Sequence, residues 1–267
     1  MVRQLMHSRL MMPYAPEDWG IICTTDINIK NSLVIVHKSI FNSPNIMQAL
    51  KAQGNTIVAD VIDGVITDVT DIDAILCCSH KAVAFYTAAQ NKCPVFFVEH
   101  CCDIRVLEQE ETPSTFSPFY FGASENLLVY NSIFEFIRPC FTNYYDQQMN
   151  WVDYLKLANF HYALRCKIDP RSFKPFMKGI IASFCNSNIL VHASDGDAAR
   201  YLGQDYPYLI KEPLTEQVVL HYLAKAKDDF GGKTWNSGLA VMRDMKELFR
   251  PATIAAQFWT MVRRLGD

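Results

Sequence analysis

Asn159-Phe-His-Tyr-Ala-Leu-Arg165, Phe173-Lys-Pro-Phe-Met-Lys-Gly179, Asn188-Ile-Leu-Val-His-Ala-Ser-Asp-Gly-Asp197 and Leu202-Gly-Gln-Asp-Tyr-Pro-Tyr208 follow one another along this chain, and their order decides its fold. A short apolar run, a loop carrying two lysines, an apolar helical pattern, a second apolar run and an acidic loop predict strand, loop, helix, strand, loop, helix. In a parallel α/β layout, Arg165 stands at the C-terminal end of the first strand, beside a helix start that carries Lys174 and Lys178. Backbone N–H groups and the helix dipole make such a position a phosphate site. The spacing of the two lysines places them on one face near the positive end of the dipole, which costs stability unless an anion compensates them. The stretch therefore predicts a nucleotide-type ligand.

Upstream, Ser32-Leu-Val-Ile-Val-His37, Thr56-Ile-Val-Ala-Asp60, Asp73-Ala-Ile-Leu-Cys-Cys78 and Cys93-Pro-Val-Phe-Phe-Val-Glu-His100 are compact apolar runs rich in β-branched residues. Strands covered on both faces have this composition. Helices are expected between them over 44–53, with Ser43 as N-cap and Gly54 as C-cap, and from Ser79 through Ala89. Strands alternating with helices predict an α/β fold with a parallel, doubly wound sheet. The polar, helix-breaking residues 107–118 predict a linker. Pro118-Phe-Tyr-Phe-Gly-Ala123 then opens a second α/β unit, with helices expected over 124–137, 151–157, 176–186 and 197–202. Strands are expected over 160–165, 188–192 and 208–211. Three further helices are expected over 215–229, 233–250 and 252–265, the last with Ile254, Phe258, Met261 and Val262 as an apolar stripe.

The chain has 267 residues, half of them apolar and a fifth charged, with a formal net charge of −3. Such a composition supports a large core and excludes general disorder. It also argues against a nucleic-acid partner, because counterion-release binding needs a concentrated basic face. The nine cysteines are an odd count with no CxxC spacing, and most lie in apolar runs, so buried reduced thiols are expected. The first residues lack an apolar signal core, and no run approaches the ~20 apolar residues of a membrane span. The expectation is a cytoplasmic protein without a transmembrane segment, with peripheral membrane contact left open.

Phe121-Gly-Ala-Ser-Glu-Asn126, the strand Phe160-His-Tyr-Ala-Leu-Arg165 and the helix start Lys174-Pro-Phe-Met-Lys-Gly-Ile-Ile-Ala-Ser-Phe184 together resemble the donor half of GT-B glycosyltransferases. The resemblance covers about half the chain. It implies two Rossmann-like domains facing a cleft: an acceptor-side domain over 1–112 and a nucleotide-sugar donor domain over 113–250. A final helix over 251–267 would pack back on the first domain. It implies transfer of a sugar from a nucleotide diphosphate sugar to a glycan or lipid-linked acceptor, with the donor as a substrate and no further cofactor or metal. Arg165, Lys174 and Lys178 would hold the departing diphosphate. Gly122, Ser124 and Asn126 would bring the glycine turn to it.

Asp195 and Asp197 admit three readings: a ribose contact, helix capping, or the Asp-x-Asp metal pair of GT-A transferases. His37, His100, Asp103 and Arg105 are expected at strand ends of the first domain, with His100 and Asp103 the candidates for activating an acceptor hydroxyl. His161 and His192 lie inside apolar strands and are expected to be structural. The glutamate pair usual around the donor helix is missing, with Ser183 and then Asp195 or Asp197 in its place. A second expectation follows: a non-catalytic nucleotide- or sugar-binding protein of the same fold.

Overall fold

The computed structural model describes residues 8–17, 19–41, 43–66, 68–89, 93–142, 150–167 and 173–266. The chain divides into two compact units. One comprises Met1–Cys101 with Ser172–Pro175 and Phe249–Asp267; the other comprises Cys102–Arg171 and Phe176–Leu248.

The first unit holds a four-stranded parallel sheet of β1 (Leu33–His37), β2 (Thr56–Val61), β3 (Ala74–Cys77) and β4 (Val95–Phe97), in that order. Helix α1 (Pro44–Ala52) connects β1 to β2, and α2 (His80–Ala89) connects β3 to β4. Successive side chains of a strand point to opposite faces, and both faces here are covered. Val58, Ala74 and Leu76 pack with Ile254, Ala255, Phe258, Trp259, Met261 and Val262 of the C-terminal helix α7 (Pro251–Gly266). Ala59, Val61, Ile75 and Cys77 pack with Ala82 and Tyr86 of α2 and with Phe173. Coverage on both faces is why these strands read as continuous apolar runs rather than as alternating ones. Trp259 also donates its indole N–H to the Met11 carbonyl at 3.3 Å. Gly54, at φ +78°, ends α1 in the left-handed conformation that glycine adopts without strain.

The second unit holds a five-stranded parallel sheet: β5 (Pro118–Gly122), β6 (Arg138–Phe141), β7 (Phe160–Tyr162), β8 (Asn188–His192) and β9 (Leu209–Ile210). Their order across the sheet is β6-β5-β7-β8-β9, so the chain reverses direction of winding at β5. Around this sheet lie α3 (Met177–Phe184), α4 (Ala198–Leu202), α5 (Glu216–Asp228) and α6 (Lys233–Leu248). Phe160 and Trp235 stack with ring centroids 5.8 Å apart, and Tyr208 meets Phe160 edge-on at 5.2 Å. These aromatic pairs seal the sheet against α6.

Two expectations fail in this unit. No α-helix runs over 124–137. Short 3-10 turns at Ser124–Asn126 and Asn131–Glu135 lead instead into the edge strand β6. Val129, Tyr130, Asn131 and Ser132 are weak helix formers, and the backbone of Leu127 and Leu128 bonds across to Arg165 and Leu164. Pro139, which has no N–H to give, is tolerated in β6 because that strand is at an edge. The helix expected over Trp151–Leu157 is present, wound as a 3-10 helix. The polar segment 107–118 is also tied down rather than a free linker. Gln109 N–H donates to Phe184 O, Asn159 Nδ2 donates to Pro113 O and Thr115 O, and Glu108 pairs with the buried Lys246 at 2.6 Å.

None of the nine cysteines is in a disulfide; seven are buried and two, Cys23 and Cys166, are exposed. Among the described residues no helix is long and apolar enough to cross a membrane.

Candidate functional site

In an open α/β sheet, ligands bind beyond the C-terminal ends of the strands, at the point where strand order reverses. In the second unit that point lies at the ends of β5 and β7. The two ends are stitched together: Leu127 and Arg165 form an antiparallel bridge, Cys166 N–H donates to Asn126 O, and Tyr162 O–H donates to Leu128 O at 3.0 Å. Gly122 and Asn126, expected in the glycine turn, are thereby held beside Arg165, with Ser124 exposed between them. Gly122 has to be a glycine, because a Cβ there would lie 2.7 Å from the Tyr120 hydroxyl oxygen. That hydroxyl donates to Ala123 O at 2.6 Å and closes the turn.

Arg165 stands three residues past the end of β7. Its Nε donates to Asp195 Oδ2 at 3.1 Å, and both side chains are largely shielded from solvent. Asp195 follows β8 and is itself held by its N–H on His192 O.

Lys178 is the second residue of α3. Its ammonium is buried without a hydrogen-bond partner and lies 4.2 Å from the centroid of the Tyr120 ring. Its pKa falls from 10.5 to about 7, chiefly through burial and then through the nearby Arg165, with Asp195 acting in the opposite direction. His161 Nε2, on β7, is likewise buried and unpartnered, and burial with the nearby Lys178 takes its pKa down to about 3. The ring is neutral at any ordinary pH. Gly179 lets this helix start close down, since a Cβ there would fall 2.0 Å from the Phe176 ring.

The expected lysine pair does not share a helix face. Lys174 precedes the helix, is exposed, and belongs to the short segment grouped with the first unit. Pro175 explains this, because the residue before a proline is pushed out of the α conformation.

Asp197 is buried at the N-cap position of α4 but makes no side-chain capping bond. Neither Asp195 nor Asp197 belongs to a group of three or more metal-capable side chains among the described residues.

In the first unit, His100 Nδ1 lies 2.7 Å from Cys101 O, so Nδ1 carries a proton and donates it to that carbonyl. His37 has the opposite tautomer: its Nδ1 accepts the Ser39 N–H at 3.3 Å. Its Nε2 therefore carries a proton, which removes it as a general base. In the second unit, Asp103 is grasped by Arg105 through Nε at 3.0 Å and Nη2 at 2.6 Å. Tyr120, the aromatic neighbour of Lys178, was not singled out in the sequence, and His161, its imidazole neighbour, was expected only to be structural. Their only signal is an apolar strand pattern that any core residue shares.

Neither protein-family models nor curated protein sequences match this chain. Solved structures do. The pneumococcal O-GlcNAc transferase GtfA, in complex with UDP and GlcNAc, superposes with a TM-score of 0.62 at 10% identity, over 88% of this chain and 57% of its own. Anabaena HepE in complex with UDP gives 0.60 at 9% identity, over 86% and 78%. Sucrose-phosphate synthase from Thermosynechococcus elongatus gives 0.59 at 13%, over 87% and 73%. This chain has the fold of GT-B glycosyltransferases. Its two parallel α/β units are the Rossmann-like units of that fold, although the chain spans only 57% of GtfA's length.

Proposed function

We propose that the chain transfers a sugar from a nucleoside diphosphate sugar to a glycan or lipid-linked acceptor, with no metal or further cofactor. The observation that carries this reading is the Lys178 ammonium, buried, unpartnered and placed at the switch point of the second sheet beside Arg165. A buried charge without a partner is costly, and a diphosphate would compensate it. Arg165 would present its guanidinium to the same group while Asp195 fixes its orientation. Backbone N–H groups of the Gly122–Asn126 turn complete an electropositive cradle. Built-in positive charge of this kind stabilises a departing diphosphate as the glycosidic bond breaks. The neighbours' complexes with UDP support the reading.

In this reading Lys174 steers the donor from outside the helix, Asp197 reaches the ribose, and His100 with Asp103 serves the acceptor. Of the two, His100 is the favoured base, because Arg105 grips the Asp103 carboxylate through two hydrogen bonds. Residues 1–112, 113–250 and 251–267 act as acceptor-side domain, donor domain and returning helix. The compartment is cytoplasmic, with peripheral contact at a membrane where the acceptor is lipid-linked.

One observation favours the non-catalytic alternative. The first turn of α3 carries no acid, and Ser183 spends its hydroxyl on Ile180 O at 2.7 Å. The deciding experiment is a thermal-shift panel of nucleotides and nucleotide sugars, followed by donor-hydrolysis and transfer assays. A ligand at a hundred times its dissociation constant adds about 2.7 kcal/mol of stability. Stabilisation by nucleoside diphosphates with turnover establishes the transferase. Stabilisation without turnover leaves the binding protein, and no stabilisation removes the donor site.

A further inference from the structure

Arg165-Cys166-Lys167 continues the chain past β7, so a cysteine stands between two basic residues. Cys166 and Lys167 are both exposed, and Cys23 is the one other exposed cysteine. The Cys166 thiol is held against the glycine turn. Its Sγ donates to Glu125 O at 3.1 Å, and its backbone N–H donates to Asn126 O at 3.3 Å. Side chain and backbone of this one residue thus tie residues 125 and 126 of the turn to the end of β7.

Cysteines that react are exposed ones in electropositive surroundings. Arg165 and Lys167 supply such surroundings along the chain; the opposing carboxylates are Asp195, engaged by Arg165, and the exposed Glu125. Lys178 is an independent sign that an anion belongs here. Its ammonium is buried, unpartnered and directed at the Tyr120 ring, and the hydroxyl of that ring closes the same turn on Ala123 O. Tyr120 also senses the charges of Arg165, Glu125 and Cys166, which places all three near it. Cys23 offers a contrast within the same molecule. Its neighbours are Ile21, Ile22, Thr24 and Thr25, and its Sγ meets only the Ser8 hydroxyl, at 3.4 Å.

We propose that Cys166 is a thiol–disulfide exchange site for a small anionic disulfide of the glutathione class, and that the mixed disulfide closes the diphosphate cradle of the second unit. The closure rests on the transferase reading above; the exchange site rests on the surroundings of the thiol alone. In the step, the Cys166 thiolate attacks one sulfur of the disulfide. The new S–S bond forms as the old one breaks, and glutathione leaves as a thiolate that takes up the proton Cys166 gave away. Cys166 is oxidised and one glutathione sulfur is reduced, so no other redox partner is needed. The product has lost its S–H donor to Glu125 O. It also carries glutathione carboxylates beside Arg165, where they compete with a diphosphate.

The test follows modification of the full chain by mass spectrometry with peptide mapping, at low salt and without nucleotide. The probes are glutathione disulfide, which is anionic, and cystamine, which is cationic. Glutathione disulfide should react about tenfold faster at Cys166 than at Cys23, and cystamine should not share that preference. Lys167→Glu, at an exposed position outside the cradle, should slow glutathionylation of Cys166 and leave Cys23 unchanged. In a second arm, glutathionylated protein should lose its thermal shift with UDP and regain it on reduction with dithiothreitol. In Cys166→Ser, glutathione disulfide should leave the UDP shift as it was. UDP should in turn protect Cys166, but not Cys23, from modification. Equal rates at the two cysteines, or a rate at Cys166 indifferent to Lys167→Glu, would overturn the exchange site. A glutathionylated protein that keeps its UDP shift would overturn the closure. Unmodified protein that no nucleotide stabilises would strike the donor reading and the closure with it, while the rates at Cys166 and Cys23 still decide the exchange site.

Discussion

The Lys178 ammonium lies 4.2 Å from the centroid of the Tyr120 ring, with no hydrogen-bond acceptor in reach. A cation over an aromatic face recovers part of its lost hydration, but not enough to keep an ordinary pKa. Burial, with Arg165 as the second influence, leaves the group titrating at about 7 rather than 10.5.

The first consequence is for stability. Between about 7 and 10.5 the unfolded chain holds a proton on Lys178 that the folded chain has released. Stability contributed by this site therefore rises with pH across that window, and the penalty is fully present below it. Lys178→Met should be more stable than wild type at pH 6.5, with the gap closing as pH approaches 10. Melting curves of both proteins across that range decide it; parallel dependences on pH would show that Lys178 is not the titrating group.

The second consequence is for binding. A diphosphate needs the charged lysine, so above pH 7 binding must take up a proton, and affinity should fall toward about tenfold per pH unit. Calorimetry with UDP in buffers of different ionisation enthalpy should show that uptake at pH 8 in wild type and lose it in Lys178→Met. Equal uptake in both proteins would move the proton to another group.

Arg165 and Asp195 act as a pair across the ends of β7 and β8. Arg165→Ala should weaken nucleoside diphosphate binding by about 1.5–3 kcal/mol, the range for hydrogen bonds to charged groups. Arg165→Lys should recover little, because an ammonium cannot grip Asp195 and a phosphate with one planar fork. Asp195→Asn should fall between, losing orientation while keeping the guanidinium. Wild-type affinity in Arg165→Ala, measured by calorimetry on protein with an unchanged melting temperature, would remove Arg165 from the site.

The sequence made much of this legible, for reasons that differ by residue. Apolar runs such as Leu33–Val36 and Ile189–Val191 are sandwiched between covered faces, so their composition alone marks them as strands. Arg165 stands out because a charge directly after an apolar strand has few structural uses. By contrast, β6 was invisible: Arg138-Pro139-Cys140-Phe141 is short, carries a proline and lies at an edge, where packing rather than propensity holds it. The pairing of Lys174 with Lys178 was misread because spacing was weighed above Pro175. The missing partner of Lys178 and the opposite tautomers of His37 and His100 depend on where backbone groups finally sit, which no local pattern encodes.

The C-terminal helix gives the last prediction. Its Ile254, Phe258, Trp259, Met261 and Val262 share one core with Val58 of β2, Leu76 of β3 and Val98 just after β4. Truncating one buried aromatic of this kind costs about 3–5 kcal/mol, against a total stability of roughly 5–15 kcal/mol for a domain. Phe258→Ala should therefore lower the unfolding free energy of the first unit by a large fraction of its total. Removal of residues 251–267 should leave that sheet without cover on one face. Hydrogen exchange followed by mass spectrometry should show protection lost over Leu33–His37 and Val95–Phe97 in the truncated protein. Protection retained in those two strands would mean that the sheet stands without α7, and the proposed returning helix would then be an accessory to the first unit rather than half of its core.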